Sequence, residues 1–234
     1  QQWKRWRRCN RVEAMCCGLI LAGGDSTRMG EEKRSLKISQ QGMVEMVADA
    51  LVTAGCEPLL IATRDGNPWP GWRAVGGLGE DRGRITETDN GRVAIFVTDE
   101  EGWVGPQAGL VSGLNAAIEL GYEWVQLAPC DVPLLNSDLL LMLQEEIDPK
   151  IGALVPEGPD GSQPLLALVQ PKLMLNALYR ARGAEKRSIF AVLESMVVKV
   201  ISHPEIKGLG IDNSCFLNVN SPEDLQIARN LLNR

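Results

Sequence analysis

Hydrophobic runs alternate with helically spaced apolar residues along the first 150 positions of the chain. Runs that predict short buried strands occupy residues 16–22, 58–63, 93–98 and 124–128. Residues 43–54 and 105–120 place apolar side chains three and four positions apart, which predicts helices. Residues 136–147 predict a further helix with Asn136 or Ser137 as its N-cap. This alternation indicates an α/β class: a three-layer, Rossmann-like fold around a mostly parallel, mixed central sheet.

The pattern becomes less regular after residue 150. Turn residues between 158 and 161 predict a hairpin, and Asn90-Gly91 predicts another turn inside a segment rich in Gly, Pro and Trp at 65–91. The remaining elements are helices near 171–182 and 187–195, strands at 197–202 and 215–219, and a last helix capped by Ser221.

Length and charge limit the organisation and the partners of the protein. The 234 residues predict a single domain at 15–234, preceded by a basic N-terminal extension at 1–14 with five basic residues and one acidic residue. The net charge of −6 argues against nucleic acid as a partner. An acidic enzyme that handles anionic ligands must concentrate positive charge locally, so basic residues in loops are candidates for function.

The cysteines, the single histidine and the hydropathy of the sequence limit the possible class of protein. Six cysteines without a CxxC pair predict buried, reduced thiols in a cytoplasmic protein. His203, the single histidine, predicts a surface role and argues against a Ser-His-Asp triad. The sequence contains no apolar run long enough to span a membrane. A basic stretch followed by an apolar one at 3–24 leaves a cleaved export signal as an alternative.

A glycine pair follows the first predicted strand and leads into a cationic loop. The backbone N–H groups of Gly23 and Gly24 can turn inward and form a concave site for an anion. Arg28 and Lys33 add positive charge, so the loop can hold a triphosphate. The loop lacks both the Walker pattern and G-x-G-x-x-G. A plain strand–helix connection is the alternative interpretation of the glycines.

Oxygen ligands follow two later predicted strands. Asp131 lies between two prolines after a central strand, where its carboxylate suits Mg²⁺, and a turn or cap residue is the alternative. Asn218 and Asn220 alternate along a predicted strand end, so they point the same way. Asn220 would add a neutral oxygen to the metal site, or it belongs to the start of the last helix. Gly105 and Gly109 either approach a base or sugar or permit close packing.

Five segments, in this order, resemble those of the molybdenum cofactor guanylyltransferases, within the wider nucleotidyltransferase group. The resemblance runs from about residue 16 to 232. The first segment is typical of the whole group, whereas the third and fifth, with GPQAGL from the second, point to the molybdopterin members. The segments are LILAGGDSTRMGEEK, VTDEEGWVGPQAGL, LAPCDVPLL, QPLLALV and FLNVNSPEDL.

The resemblance implies roles for particular residues. The backbone of Leu21, Ala22 and Gly23 would contact the nucleotide together with Lys33. Asp99 matches a position in the guanosine pocket, and Asp131 and Asn220 match the metal ligands for Mg²⁺ or Mn²⁺. Residues on the acceptor side would be Gln163, Lys186, Arg187 and Asn218.

The sequence departs from the family pattern at two places. Thr63 stands where some relatives carry a nucleotide-binding asparagine, although its hydroxyl can still form a hydrogen bond. The segment 65–91 is longer than is usual in the family.

The resemblance implies a nucleotidyltransferase that moves GMP from GTP to the terminal phosphate of molybdopterin, with or without molybdenum, and releases pyrophosphate. Lys33, Arg28 and Asp131 would be the catalytic residues. Transient contacts with molybdenum cofactor biosynthesis proteins and recipient molybdoenzymes are implied as well. The alternatives are cytidylyl transfer to the same pterin, guanylyl or uridylyl transfer to another phosphorylated acceptor, and a non-catalytic nucleotide-binding regulator or chaperone.

Overall fold

A computed structural model describes residues 16–23, 37–39, 41–68, 71–77, 83–88 and 91–233 of the chain. Ten strands in this part of the chain belong to one mixed sheet. The strands are β1 (Cys16–Leu21), β2 (Leu59–Thr63), β3 (Trp72–Gly77), β4 (Arg84–Thr88), β5 (Val93–Thr98), β6 (Trp124–Pro129), β7 (Ala153–Gly158), β8 (Gly161–Ser162), β9 (Leu168–Val169) and β10 (Val198–Ile201).

Seven α-helices and two 3₁₀ helices lie among the described residues. The α-helices are α1 (Met43–Thr53), α2 (Pro106–Glu119), α3 (Ser137–Glu145), α4 (Pro171–Gly183), α5 (Ile189–Leu193), α6 (His203–Gly208) and α7 (Pro222–Leu232), and the 3₁₀ helices are Pro164–Leu166 and Asn213–Phe216. None of these helices is long and apolar enough to cross a lipid bilayer.

The strand order is β10-β7-β9-β6-β1-β2-β5-β4-β3, with β8 beside β7. The four central strands β6, β1, β2 and β5 are parallel, with Leu19 opposite both Leu60 and Leu127. Antiparallel pairs lie outside this centre, at β5–β4–β3 and at β6–β9–β7. The carboxyl ends of the central strands therefore meet at one edge, where open α/β sheets bind ligands.

Side chains on the two faces of the central strands build two hydrophobic cores. Ile20 of β1 belongs to the core with Val47 of α1 and Leu140 of α3. Leu19 belongs to the opposite core, with Leu114 of α2 and Leu178 of α4. Helices cover both faces, which explains why β1 and β2 are apolar and buried throughout. The predicted three-layer α/β fold is confirmed.

Local signals predicted several element boundaries correctly. Asn136 caps α3 and accepts hydrogen bonds from two backbone N–H groups. Ser221 caps α7, and its hydroxyl accepts from the N–H of Asp224 at 3.2 Å. Gly91, at φ +77°, lies in the turn that joins β4 to the antiparallel β5, as Asn90-Gly91 predicted. The 65–91 segment thereby adds β3 and β4 to one edge of the sheet.

One predicted strand of the second half was wrong, and one helix was missed. The predicted strand at 215–219 is the end of a 3₁₀ helix followed by irregular chain. The predicted hairpin around residues 158–161 is present as the antiparallel pair β7–β8, and the 3₁₀ helix Pro164–Leu166 then separates β8 from β9. The short helix α6 follows β10, where no helix was predicted. It begins with a capping box between Ser202 and Glu205.

The described cysteines lie in the buried environment that the sequence predicted, and His203 makes a contact with a neighbouring 3₁₀ helix. The five described cysteines are free thiols, and all are buried. His203 starts α6, and its Nε2 lies 2.8 Å from Oδ1 of Asn213. It therefore has a structural contact at a half-buried position.

Candidate active site

Backbone hydrogen bonds align the carboxyl ends of the four central strands. The N–H of Ala22 donates to the carbonyl of Ala62 at 2.9 Å, and the N–H of Cys130 donates to Leu21 at 3.2 Å. The N–H of Asp99 donates to the carbonyl of Thr63 at 2.9 Å. Residues that follow β1, β5 and β6 are therefore held side by side although they are distant in sequence.

A cavity of about 610 Å³ opens at this edge of the sheet. Four of the predicted site residues line it: Leu21, Gly23, Asp99 and Asp131. Its volume suits a ligand of nucleotide size.

The Asp99 carboxyl group is a half-buried polar group of the cavity lining. Its Oδ1 is buried and has no hydrogen-bond partner among the described residues. Burial raises the pKa of Asp99, and the positive charge of Arg64 opposes that shift. A buried carboxylate oxygen without a donor is costly, so a donor from a bound molecule would remove that cost.

Two glycines leave the space that the Asp99 carboxyl group fills. A methyl group on Gly23 would lie 2.1 Å from Oδ2 of Asp99. A methyl group on Gly109, in the first turn of α2, would lie 3.1 Å from Oδ1 and 3.0 Å from Cβ of Ala62. Gly109 thus permits close packing of α2 against the strand ends, one of its two predicted roles.

Asp131 and the asparagine pair are joined through the backbone. The N–H of Val219 donates to the carbonyl of Asp131 at 2.7 Å. Val219 is buried, whereas Asn218 and Asn220 on either side of it are exposed. The predicted alternation of the two asparagines is therefore present without the predicted strand, and both lie close in the chain to a direct contact with Asp131.

The donor set around Asp131 fits a hard divalent cation. A carboxylate and a neutral amide oxygen are ligands that Mg²⁺ accepts, with water or phosphate oxygens completing its shell. No cluster of three or more His, Cys, Asp or Glu side chains with metal-binding spacing occurs in the described part of the chain. The resemblance assigns such an ion to Asp131 and Asn220; of the two, Asp131 lines the cavity, and their role as ligands stays a prediction.

Two predicted nucleotide contacts lie below the cavity surface. Ala22 is buried, and its backbone N–H already donates a hydrogen bond to the carbonyl of Ala62. Thr63 is fully buried, and its hydroxyl donates to Oδ1 of Asp65 at 3.5 Å. The structure brings neither into the cavity lining, and their contacts with a nucleotide stay predictions.

The predicted acceptor-side residues lie outside the lining of this cavity. The amide of Gln163 donates to the carbonyl of Gly161 at 3.1 Å, and that of Asn218 donates to Phe216 at 3.4 Å. Nζ of Lys186 pairs with Glu194 at 3.5 Å on the surface. Their role in acceptor binding stays a prediction.

The backbone of Arg187 is attached to α2. Its carbonyl accepts a hydrogen bond of 3.0 Å from Nε2 of Gln107, which is 3% exposed. Gln107 lies in α2 between Pro106 and Ala108, which both line the cavity. This contact attaches the basic segment 183–188 to the start of α2.

The cationic loop falls outside the described residues. Gly24, Arg28 and Lys33 are all in the segment 24–36. Their predicted contact with phosphates stays a prediction. Gly23, which precedes them directly, lines the cavity, so the loop starts there.

Three further residues at or beside the cavity were missed by the sequence interpretation. Arg64 follows β2 and lines the cavity, and Trp103 lines it from the loop between β5 and α2. Gln107 is a buried polar residue inside the GPQAGL segment. Gln107 could have been identified in the sequence as a polar residue among the small and apolar residues that start a helix. Arg64 and Trp103 have no corresponding pattern in the sequence.

A family profile described as the MobA-like NTP transferase domain matches residues 18–200. The chain belongs to this family. It is therefore a nucleotidyltransferase, as the resemblance implied. The match starts in β1 and ends in β10, so it covers the residues that line the cavity.

Curated relatives extend over nearly the whole chain. A probable molybdenum cofactor guanylyltransferase of Natronomonas pharaonis is 32% identical over 216 residues, which are 92% of this chain and 97% of the relative. The molybdenum cofactor guanylyltransferase of Desulfosudis oleivorans is 27% identical over 212 residues, which are 90% of this chain and 93% of the relative.

A solved structure shares the fold of this chain. Molybdopterin-guanine dinucleotide biosynthesis protein A from Archaeoglobus fulgidus aligns with a TM-score of 0.68 at 22% identity, covering 92% of this chain and 98% of its own. At that identity the likeness establishes the α/β architecture.

Proposed function

We propose that the enzyme transfers GMP from GTP to the terminal phosphate of molybdopterin and releases pyrophosphate. One observation carries this proposal: Asp99 after β5 and Asp131 after β6 line a single cavity at the carboxyl edge of the sheet. One carboxylate is suited to the base and the other to a metal-bound phosphate. The names of the curated relatives support the choice of GTP and molybdopterin.

Asp99 is proposed to select guanine. Guanine presents a ring N–H and an amino group side by side, and a carboxylate can accept both hydrogen bonds. Cytosine, adenine and uracil each lack this adjacent pair of donors. A wrong base would leave the buried Oδ1 of Asp99 without its donor, which is the kind of penalty that gives strong discrimination.

The reaction needs positioning and charge stabilisation more than covalent chemistry. The acceptor phosphate attacks the α-phosphorus of GTP, the bond to the bridging oxygen breaks, and pyrophosphate leaves. The acceptor phosphate is already ionised near neutral pH, so no general base is required. Lys33 and Arg28 are proposed to neutralise the charge that develops on the α-phosphate and the leaving group.

Asp131 and Asn220 are proposed to hold Mg²⁺ or Mn²⁺. When bound, the ion supplies positive charge to the phosphate oxygens. The chain itself contributes the placement of Asp131, because the 2.7 Å hydrogen bond from Val219 fixes the Asp131 backbone beside the asparagine pair.

The acceptor is proposed to approach from the side of Gln163, Asn218 and the basic pair Lys186 and Arg187. Transient contacts with other cofactor-synthesis proteins and recipient molybdoenzymes would deliver and remove the pterin. We place the reaction in the cytoplasm, a reducing compartment in which Cys16 and Cys56, with sulfur atoms 3.2 Å apart, remain thiols.

Pyrophosphate release from each of the four nucleoside triphosphates, with molybdopterin as acceptor, tests this function. We expect release from GTP, with a requirement for Mg²⁺ or Mn²⁺. Release from CTP instead would assign cytidylyl transfer. Tight GTP binding without pyrophosphate from any nucleotide would assign a non-catalytic regulator and reject the enzyme.

A further inference from the structure

We propose that Trp103 forms the stacking wall of the cavity for a fused heteroaromatic ring whose edge carries adjacent N–H and amino donors. Guanine and a pterin share that edge. The inference rests on the proposed function and adds to it a residue that neither the motifs nor the family resemblance assigned. Trp103 is half-buried and lines the 610 Å³ cavity.

Two residues of α4 fix the orientation of the Trp103 indole. The guanidinium carbon of Arg182 lies over the ring at 4.6 Å from its centroid. The ring of Tyr179 meets it edge-on, with centroids 5.3 Å apart and an interplanar angle of 80°. A cation over an indole face and an edge-to-face aromatic pair are both favourable arrangements. The indole is therefore positioned before a ligand arrives.

Neither Arg182 nor Tyr179 belongs to the described residues that line the cavity. Arg182 and Tyr179 contact the indole from α4, and Trp103 itself lines the cavity. An apolar aromatic surface there can bury the π-face of a planar ligand. Base–aromatic stacking of this kind tolerates different rings, because every base has a π-face.

The wall and the Asp99 carboxylate are fixed by the same loop. The N–H of Trp103 donates to the carbonyl of Glu100 at 3.4 Å, and the N–H of Glu100 donates to Ala108 at 3.2 Å. The N–H of Asp99 is bound to Thr63. The loop is thus attached to both β2 and α2, with the two side chains only four residues apart.

The two side chains offer complementary interactions to one ligand. Asp99 accepts hydrogen bonds from donors at the edge of a ring, and Trp103 contacts its face. A 2-amino-oxo-pyrimidine fused to a second ring has both features. The ring can come from the guanine of GTP or from the pterin of the acceptor, and binding measurements separate these sources.

The test measures the Kd of GTP and the Kd of molybdopterin separately for the full chain. The variants are Trp103→Leu, which keeps an apolar but smaller side chain without a π-face, and Trp103→Phe, which retains an aromatic ring. Arg182→Gln removes the cation that positions the indole. Phe190→Ala truncates an exposed aromatic side chain outside the cavity lining and is the matched control.

We expect Trp103→Leu to weaken one of the two ligands by about 10-fold or more, the loss typical of a removed stacking partner. Trp103→Phe should restore most of the binding, and Phe190→Ala should change it by less than about twofold. A rise in the Kd of GTP alone assigns guanine, and a rise for molybdopterin alone assigns the pterin. Arg182→Gln should weaken the same ligand by a smaller factor.

Equal binding of both ligands by Trp103→Leu and the wild type, with unchanged thermal unfolding, would overturn the inference. A loss that Trp103→Phe fails to restore would also overturn it, because the cause would then be packing rather than a π-face. The binding and unfolding measurements do not require the enzyme to catalyse nucleotidyl transfer. Failure of the stacking wall is therefore separate from failure of the proposed transferase activity.

Discussion

The Asp99 carboxylate packs directly against Gly23: a methyl group on Gly23 would lie 2.1 Å from Oδ2 of Asp99. A side chain at position 23 and the Asp99 carboxylate, which we propose to contact the base, would therefore compete for the same space. Any side chain at position 23 must displace either the start of the cationic loop or the carboxylate.

Gly23→Ala is expected to raise the Kd of GTP by a factor on the order of 10, because the added methyl group moves the Asp99 carboxylate. Isothermal titration with GTP measures it. Gly208→Ala is the control, since a methyl group there meets no atom within 4 Å. Unchanged GTP binding by Gly23→Ala would show that the Asp99 carboxylate is not used.

Asp99→Asn is expected to stabilise the folded protein and to weaken GTP binding. Because burial raises the pKa of Asp99, the native state takes up its proton at a higher pH than the unfolded chain. Stability therefore falls as pH rises through the raised pKa. The asparagine avoids this loss, so Tm at neutral pH should increase by about 2 °C while GTP binding weakens.

The Tm difference between Asp99→Asn and the wild type should shrink as pH is lowered through the raised pKa, because the wild-type carboxyl group becomes neutral. Calorimetric scans over a pH series measure this difference. Asp160→Asn, at an exposed position in the β7–β8 turn, is the control. A Tm difference that does not depend on pH would contradict the assignment.

Asp131→Ala is expected to reduce kcat by about 100-fold or more, because it removes the carboxylate that would hold the ion. Initial rates of pyrophosphate release as a function of Mg²⁺ concentration measure it. The control is Asp160→Ala, which removes an exposed carboxylate from the β7–β8 turn, outside the cavity lining. Wild-type kcat together with an unchanged Mg²⁺ dependence would reject Asp131 as the metal ligand.

Lys33→Ala is expected to reduce kcat by about 100-fold, since the lysine would neutralise charge on the phosphates. Single-turnover measurements with saturating GTP separate this effect from weaker binding. Lys172→Ala, at the exposed start of α4, provides a lysine control. Equal single-turnover rates for the two variants would remove Lys33 from the catalytic residues.

Gln107→Ala is expected to lower the free energy of unfolding by about 1–3 kcal/mol, because the Arg187 carbonyl loses the 3.0 Å bond from a buried amide. Urea unfolding measures this loss, and hydrogen exchange should increase at 184–188. Gln226→Ala removes an exposed bond between neighbouring turns of α7 and should cost about 0.5 kcal/mol at most. Similar losses for both variants would contradict a buried role for Gln107.

Strands whose neighbours cover both faces were predictable from the sequence, because burial on both sides produces a continuous apolar run, as at residues 16–22. The run at 215–219 looked the same and is not a strand. There the N–H of Val219 bonds to the Asp131 carbonyl rather than to a sheet partner. A short apolar run records burial but not the hydrogen-bond partner, so periodicity cannot separate the two cases.

The sequence by itself determined the alternation of strands and helices, and hence that Gly23, Asp99 and Asp131 follow strand ends. These features are local, since each depends on residues within a few positions. Only the tertiary structure decided that Asp99 packs on Gly23 and that Arg182 covers Trp103. Those contacts join residues more than 70 positions apart. They depend on the order of strands in the sheet, which local periodicity does not encode.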